Sequence, residues 1–586
     1  MRARSGSFFV VMFALSGCFD DRLRLVGQDD AQRGVLPDAS APDPASWGVA
    51  SVRIDPEDVR LDVQGSTRPT VNFRLRGVRE NGTFTADLPA LWTVTNTELG
   101  AIDGAEGTFA TSGQAGGAAR VRATAVVGGV TYTAETSLAV FVRREVFVGE
   151  VPADAPSRFN GTLTRATERE ANLVYPLDGA VMPQNVPPAD IQWTRGRYGD
   201  LFHVRLRKSH ADVHAYVAWA QPDFGLDWRV EETAWRSLAA TDGDAPATIT
   251  VDRWDAEHAE AIAGSPITVR FARGVLLGSV YYWDGVAGQP YRIDDGTTDA
   301  RPVVANVPAA PRSGMHCLGC HTVSQDGRYL AGRLHGNSTD GSGVIFDLTA
   351  DLWATTPPTV FPVTTTSPDW MSSSFSPDPR RLVVAYEGGR ALVDTATGRR
   401  VLPGANTLPG RTTRSFQPSW SPDGTRIAYI TNATGVVAHS TSGDLAVIPV
   451  TAPDTFGTPA VIHRGSAFPG AVPAGPTDSW PSWSPDSRWI AFAHGDFARS
   501  QDGHGALYLI APTGGAPVRL DRACGGADST DSFYPKFSPF DSGGYFWVSF
   551  LSLRDYGNER VGTRGSRRQQ IWIAALRRTP RPDEDP

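Results

Sequence analysis

The chain has 586 residues, a formal net charge of −8, 60 glycines, 44 prolines and only 20% charged residues. At about 150 residues per domain it holds several domains, and its 41% hydrophobic content is too high for a mostly disordered chain. Abundant Gly and Pro with few charges argue against coiled coils and helical bundles, and the acidic balance excludes a nucleic-acid footprint.

Arg2 and Arg4 precede an apolar run over residues 8–15 that is too short to be a permanent membrane helix. The run ends in Leu15-Ser16-Gly17-Cys18. This segment resembles the lipobox of bacterial lipoproteins. The resemblance implies that residues 1–17 are removed and that Cys18 is lipidated. Phe19, where an Asp would signal inner-membrane retention, implies the outer membrane. Acyl chains on Cys18 would anchor the protein by burying CH₂ groups at about 0.8 kcal/mol each. The rival reading is an ordinary signal peptide with an incidental cysteine. Residues 18–48, rich in Asp, Ala, Pro and Gly, read as a flexible tether.

Residues 49–143 alternate polar and apolar side chains in short runs, such as Val71-Asn72-Phe73-Arg74-Leu75, with turn residues between them. That is the pattern of a β-sandwich. The stretch from Leu91-Trp92-Thr93-Val94 through Gly107-Thr108-Phe109-Ala110 to Gly117 resembles the group 2 bacterial Ig-like domain, with Trp92 expected in the core. Residues 144–300 read as a second β-sandwich. Its Tyr175-Pro176-Leu177-Asp178-Gly179, Gln192-Trp193 and Phe202-His203-Val204-Arg205-Leu206 resemble a fibronectin-III-like opening. His203, His210 and His214 could hold a metal, but strand alternation favours ordinary surface residues.

Residues 301–586 are organised by a repeat. The segments are Val323-Ser324-Gln325-Asp326-Gly327, Phe375-Ser376-Pro377-Asp378, Trp420-Ser421-Pro422-Asp423-Gly424, Trp483-Ser484-Pro485-Asp486 and Phe537-Ser538-Pro539-Phe540-Asp541. Pro presets φ and Asp bonds nearby backbone, so each is a turn, and a β-run follows each. A unit of roughly 45–60 residues is a propeller signature. The pattern resembles TolB-type (WD40-like) propeller repeats. Five blades are countable, and strands near 281–305 could add a sixth. The fold class is therefore all-β: Ig-like sandwich modules followed by a five- to six-bladed propeller.

Cys317-Leu318-Gly319-Cys320-His321 is a C-x-x-C-H motif. It reads as an attachment site for one covalent haem c. Cys317 and Cys320 would form the thioethers and His321 the axial bond. A Cys317–Cys320 disulfide or a zinc site are the rivals. The repeat register sets His321 three before Ser324, at the start of the innermost strand, with both cysteines in the loop leading into it. The haem would then cap the channel mouth. Met371, five before Ser376, is the first candidate for the distal ligand and His335 the second. An open site would suit peroxidase-like chemistry. Asp369, Asp478 and Asp531 precede aromatics in three such loops. They could hold calcium at the mouth, although turn capping is the commoner role. No nucleophile elbow, zinc-protease helix or phosphate loop is present.

Two functions follow. One is a lipid-anchored propeller carrying one haem c for electron transfer or redox chemistry at the cell envelope, with an envelope or redox protein as partner. The alternative is a haem-free TolB-like propeller acting as a protein-binding envelope scaffold.

Overall fold

The computed structural model describes residues 47–579, apart from 222–223, 244, 298, 336–340, 387–388, 402–407, 409–413, 436–438, 500–502 and 559–568. Cys18 and the expected tether up to residue 46 lie outside the described residues. Strands dominate, as the composition predicts. Among the described residues no helix is long and apolar enough to cross a membrane.

One compact unit comprises the chain up to Val59, Thr70–Ala110 and Ala119–Leu138. Val49–Asp55, Arg74–Arg79 and Phe84–Leu88 form one antiparallel sheet. Leu91–Val94 pairs antiparallel with Gly117–Val127, whose residues alternate between buried and solvent-facing. That alternation is what a strand with one face on the core requires. Phe73, Trp92 and Phe109 are buried together, with the Phe73 and Trp92 rings 6.2 Å apart. Trp92 is thus a core residue, as expected. Gly107 has φ +72, and a Cβ there would meet the Phe73 carbonyl oxygen at 2.6 Å and Trp92 at 2.8 Å. Only glycine satisfies both demands.

The second unit holds the rest of the chain. Its first part is a mixed sheet. Leu201–Lys208 lies between Ala211–Ala218 and Ala247–Asp255, antiparallel to both. Ile267–Phe271 continues the sheet, with Ala180–Met182 parallel to it. On the other side Val142–Val148 runs parallel to Ala211–Val217. The helix Glu232–Ala240 packs Ala234, Trp235 and Leu238 onto the apolar face made by Val204, Leu206, Ile249 and Phe271. A second sheet, Asn172–Tyr175, Asp190–Thr194 and Asp227–Arg229, faces this one and brings Ile191, Trp193 and Trp228 into the same core; the helix and the two parallel pairings are additions that the alternating pattern did not announce. The period-two alternation of each strand does not reveal the direction of its neighbour.

The propeller follows. Five antiparallel sheets carry the repeat, and their first strands are Leu318–Val323, Ser372–Phe375, Phe416–Trp420, Thr477–Trp483 and Ser532–Ser542. These five strands neighbour one another in order, and as first strands they line the central channel. A sixth, three-stranded sheet, Val280–Asp284, Gln289–Ile293 and Ala300–Pro302, lacks the repeat and lies against the first of the five.

The turn chemistry explains the repeat. Ser421 Oγ donates to Asp423 Oδ1 at 2.6 Å and accepts the Arg426 N–H at 2.9 Å. The same pair of bonds forms at Ser324 with Asp326, Ser376 with Asp378 and Ser484 with Asp486. In the fifth segment Phe540 is interposed before Asp541, and Ser538 Oγ accepts from the Phe540 N–H instead. The residue before each serine packs between sheets: Trp483 and Phe537 share one buried cluster, and Phe375 joins another.

Candidate functional site: the channel mouth

The first strands share a second feature that the sequence did not disclose. Counting four residues back from the repeat serine reaches Cys320, Ser372, Gln417, Trp480 and Tyr534. Four of these have left-handed backbones, with φ 50 at Cys320, 54 at Gln417, 55 at Trp480 and 55 at Tyr534. In each of those four strands the pairing register slips at this point, between Gly319/Thr322, Phe416/Ser419, Ser479/Ser482 and Phe533/Lys536. These are β-bulges, which re-aim a side chain out of the alternating pattern. Non-glycine residues rarely hold positive φ, and repeating it at one register marks a built feature.

The bulge residues connect neighbouring strands. Gln417 N–H donates to Ser372 Oγ at 2.9 Å, and Trp480 N–H donates to Gln417 Oε1 at 2.7 Å. The Trp480 and Tyr534 rings meet edge-on with centroids 4.6 Å apart. A belt of hydroxyl, amide, indole and phenol groups thus runs from strand to strand.

Cys320 occupies the corresponding position in the first repeat sheet. Its side chain reaches solvent, yet burial among the channel walls pushes its thiol up to about 11. Cys317 lies just before the strand, half-buried, and burial raises its thiol as well. Its Sγ is 3.7 Å from His335 Nε2. His335 follows the strand Tyr329–Leu334, and its ring covers Gly319, where a Cβ would meet Nε2 at 2.9 Å. His321 turns elsewhere. Burial pushes its imidazole down to about 4, a hydrogen bond to the Tyr281 main chain opposes this, and the nearby Lys536 charge adds to it.

The C-x-x-C-H motif is therefore not arranged as its spacing suggests. Attached haem asks both sulfurs and the histidine to serve one flat group. Residues three apart share a face on a helical turn, whereas here Cys317 precedes the strand and the bulge re-aims Cys320 out of its alternation. Here Leu318–Val323 is a strand, and Leu318 and Gly319 pair with Leu334 and Arg333. Cys320 lies within that strand, not in the loop leading to it. Two extended residues separate the cysteines by ~10 Å at Cα, so a disulfide, which needs less than about 7 Å, does not form as they stand. Both thiols are free. The residues of the motif as placed do not fit a haem, because His335 and the neighbouring Trp283 cover Gly319 between the two thiols.

The other expected residues divide in the same way. His335 meets Cys317, whereas Met371 packs against the apolar cluster containing Ala385 and Phe416. Asp369 is held by Arg333 at 2.7 and 2.8 Å. Asp478 accepts Nδ1 of His463 at 2.7 Å and Nδ1 of His494 at 2.8 Å. These partners engage two of the three carboxylates, Asp369 and Asp478, that could have held calcium. His203 Nε2 and His214 Nδ1 lie 3.0 Å apart, while His210 pairs with Asp242 at 2.6 Å, so the three histidines do not converge.

The fold and its channel define an all-β protein whose C-terminal half is a β-propeller. No family model matches the chain, and no curated protein is similar to it. Among solved structures, TolB from Acinetobacter baumannii is similar at 12% identity, covering 61% of this chain and 86% of that one, with a TM-score of 0.30. The periplasmic gluconolactonase of Pseudomonas aeruginosa is similar at 14% identity, covering 57% and 96%, with a TM-score of 0.28. A quinonprotein alcohol dehydrogenase-like protein from Bacteroides thetaiotaomicron is similar at 10% identity, covering 79% and 94%, with a TM-score of 0.24. Likenesses this distant assign no role to any residue of this chain.

Proposed function

We propose that this protein is an exported, lipid-anchored propeller whose channel mouth is a binding platform at the cell envelope, and that it works without haem. The observation that supports this reading is the belt of bulge residues. Four first strands hold Cys320, Gln417, Trp480 and Tyr534 in left-handed conformations at one register. Such backbone costs of order 1–3 kcal/mol per residue; it turns the exposed Cys320 and the part-exposed Trp480 and Tyr534 out of the strand pattern, while the buried Gln417 ties their strands together. Aromatic side chains with a polar handle are the usual anchors of a recognition surface.

Two measurements test this. Protein made in cells that possess the haem-ligation machinery should be colourless and negative in a covalent haem stain. A Soret band that survives denaturation would overturn the haem-free reading. A photoreactive residue at position 480 should crosslink to an envelope component in living cells. The same probe at Val461, an exposed residue of an outer strand, should not. Equal crosslinking at both positions, or none at 480, would refute the platform.

A further inference from the structure

The backbone sets the thiol of Cys317 and the imidazole of His335 opposite each other. Leu318 pairs with Leu334, and one step further the His335 N–H donates to the Cys317 carbonyl at 3.1 Å. From the other side the Gly288 carbonyl accepts the Leu318 N–H at 2.9 Å. Cys317 is thus pinned between the end of Tyr329–Leu334 and the turn that leads into Gln289–Ile293. Its Sγ lies 3.7 Å from His335 Nε2.

Two glycines make room for this pair. A Cβ at Gly319 would strike His335 Nε2 at 2.9 Å, so glycine there lets the imidazole lie across the strand. The Cβ position of Gly288 is 3.7 Å from Cys317 Sγ, and glycine keeps that side of the sulfur bare. Trp283 Nε1, 3.9 Å from the Gly319 Cβ position, walls a third side. Cys317 and His335 both keep part of their surface in solvent, so a small ion reaches them.

Three chemistries compete for such a pair. A cysteine nucleophile needs surroundings that lower its thiol pKa, whereas burial raises the Cys317 thiol, with the Arg333 charge opposing. Structural zinc needs four ligands, and among the described residues no third Cys, His, Asp or Glu joins these two. Monovalent copper is soft, takes thiolate and imidazole ligands, and is satisfied by two or three donors. Metal bonds of ~2.3 Å to sulfur and ~2.0 Å to nitrogen, set at a trigonal angle, hold the donors ~3.7 Å apart. That is the separation of Sγ and Nε2.

We propose that Cys317 and His335 form a binding site for one monovalent copper ion beside Trp283. Copper takes the place of the thiol proton, which leaves to water, and the Nε2 lone pair of His335 makes the second bond. The oxidation state of the metal does not change.

The full-length reduced protein, kept free of air, should withdraw one Cu(I) from its bicinchoninate complex, read as loss of the complex's colour. X-ray absorption of the loaded protein should show one sulfur and one nitrogen neighbour. Cys317→Ser and His335→Ala should each abolish the withdrawal, and Cys320→Ser should retain it. Gly319→Ala removes no donor and meets only the tip of the His335 side chain. It should nevertheless weaken binding by about 10–100-fold, as losing the support of a ligand does. Equimolar zinc should not displace the copper. The proposal fails if His335→Ala binds as tightly as the parent, since a bare thiol then accounts for the uptake. It fails equally if Cys320→Ser loses the ion or if zinc displaces it. Should His335→Ala not fold, parent-like affinity in Gly319→Ala overturns the proposal by itself. Position 480 takes no part in these measurements, so the crosslinking test of the platform stands or falls separately.

Discussion

The carboxylate of Asp478 lies 2.8 Å from Nδ1 of His494, and neither side chain reaches solvent. His463 holds the other carboxylate oxygen at 2.7 Å. The three residues tie the strand Ala460–Arg464 of one sheet to the first two strands, Thr477–Trp483 and Ile490–Gly495, of the next. Phe468 and Tyr508 close over the His494 ring at centroid distances of 5.0 and 5.8 Å. Asp478→Ala strands two buried imidazoles and should cost about 3–5 kcal/mol in urea unfolding, the usual loss when one partner of a buried pair is removed. A loss below about 1 kcal/mol, typical of exposed pairs, would show that the cluster is solvated and does not join the sheets.

The repeated turns predict a graded series. Asp423→Ala removes the acceptor of both Ser421 Oγ and the Thr425 N–H and should destabilise by about 1 kcal/mol, as a lost net hydrogen bond does. Asp541→Ala, in the turn where Phe540 displaces the carboxylate, should cost less. Equal losses would mean that the serine–aspartate bond is not what shapes these turns. The Ser376 hydroxyl holds the Asp378 carboxyl below its ordinary value, with burial opposing and the Arg380 N–H assisting. A depressed carboxyl stabilises the fold above its unfolded pKa, and that contribution is lost as pH falls through the folded one. Acid unfolding of Asp378→Asn should therefore be less steep than that of the parent below about pH 4.

Asp227 behaves oppositely. Burial, and then the neighbouring Asp190, push its carboxyl up to about 6, while Arg229 opposes. Asp190 and Asp227 are diagonal neighbours on one face of paired strands, since Asp190 lies opposite Arg229 and Gln192 opposite Asp227. On that face the Gln192 side chain accepts the Gly557 N–H at 2.9 Å and donates to the Gly557 carbonyl at 2.8 Å. A raised carboxyl stabilises the fold below its unfolded pKa, and the contribution is lost as pH rises to about 6. Asp227→Asn should accordingly raise Tm relative to the parent at pH 7 and bring the two together near pH 4. A variant whose Tm runs parallel to the parent's across this range would exclude the carboxyl pair as the cause.

The thiols offer a direct check on the motif's geometry. Burial pushes the Cys320 thiol up to about 11 although the side chain is accessible. Its alkylation by iodoacetamide, followed by mass spectrometry, should be slow at neutral pH and keep accelerating towards pH 11. Saturation near pH 8 would indicate an ordinary exposed thiol, outside a walled channel.

Local chemistry made the propeller legible. A Ser-x-Asp turn is closed by bonds within six residues, so each turn announces itself in the sequence, and the spacing between turns counts the sheets. The unrepeated sheet at 280–302 was only suggested, because it has no such turn. The parallel pairings and the helix of the module before it were not legible, because alternation along one strand is blind to the direction of the next.

The C-x-x-C-H motif shows where sequence reading stops. Its spacing suits one flat group only if the segment is helical, and the sequence around it also encodes the first strand of a repeat. The strand prevails, because its hydrogen bonds to Tyr329–Leu334 and its packing against neighbouring sheets outweigh a local spacing preference. The chain by itself determined the repeat, its register and the all-β class, all of which depend on nearby residues. Tertiary structure alone decided the bulge that re-aims Cys320, the burial of His321 and the meeting of Asp478 with two histidines. Those outcomes depend on backbone bulges and on strands brought together from distant parts of the chain.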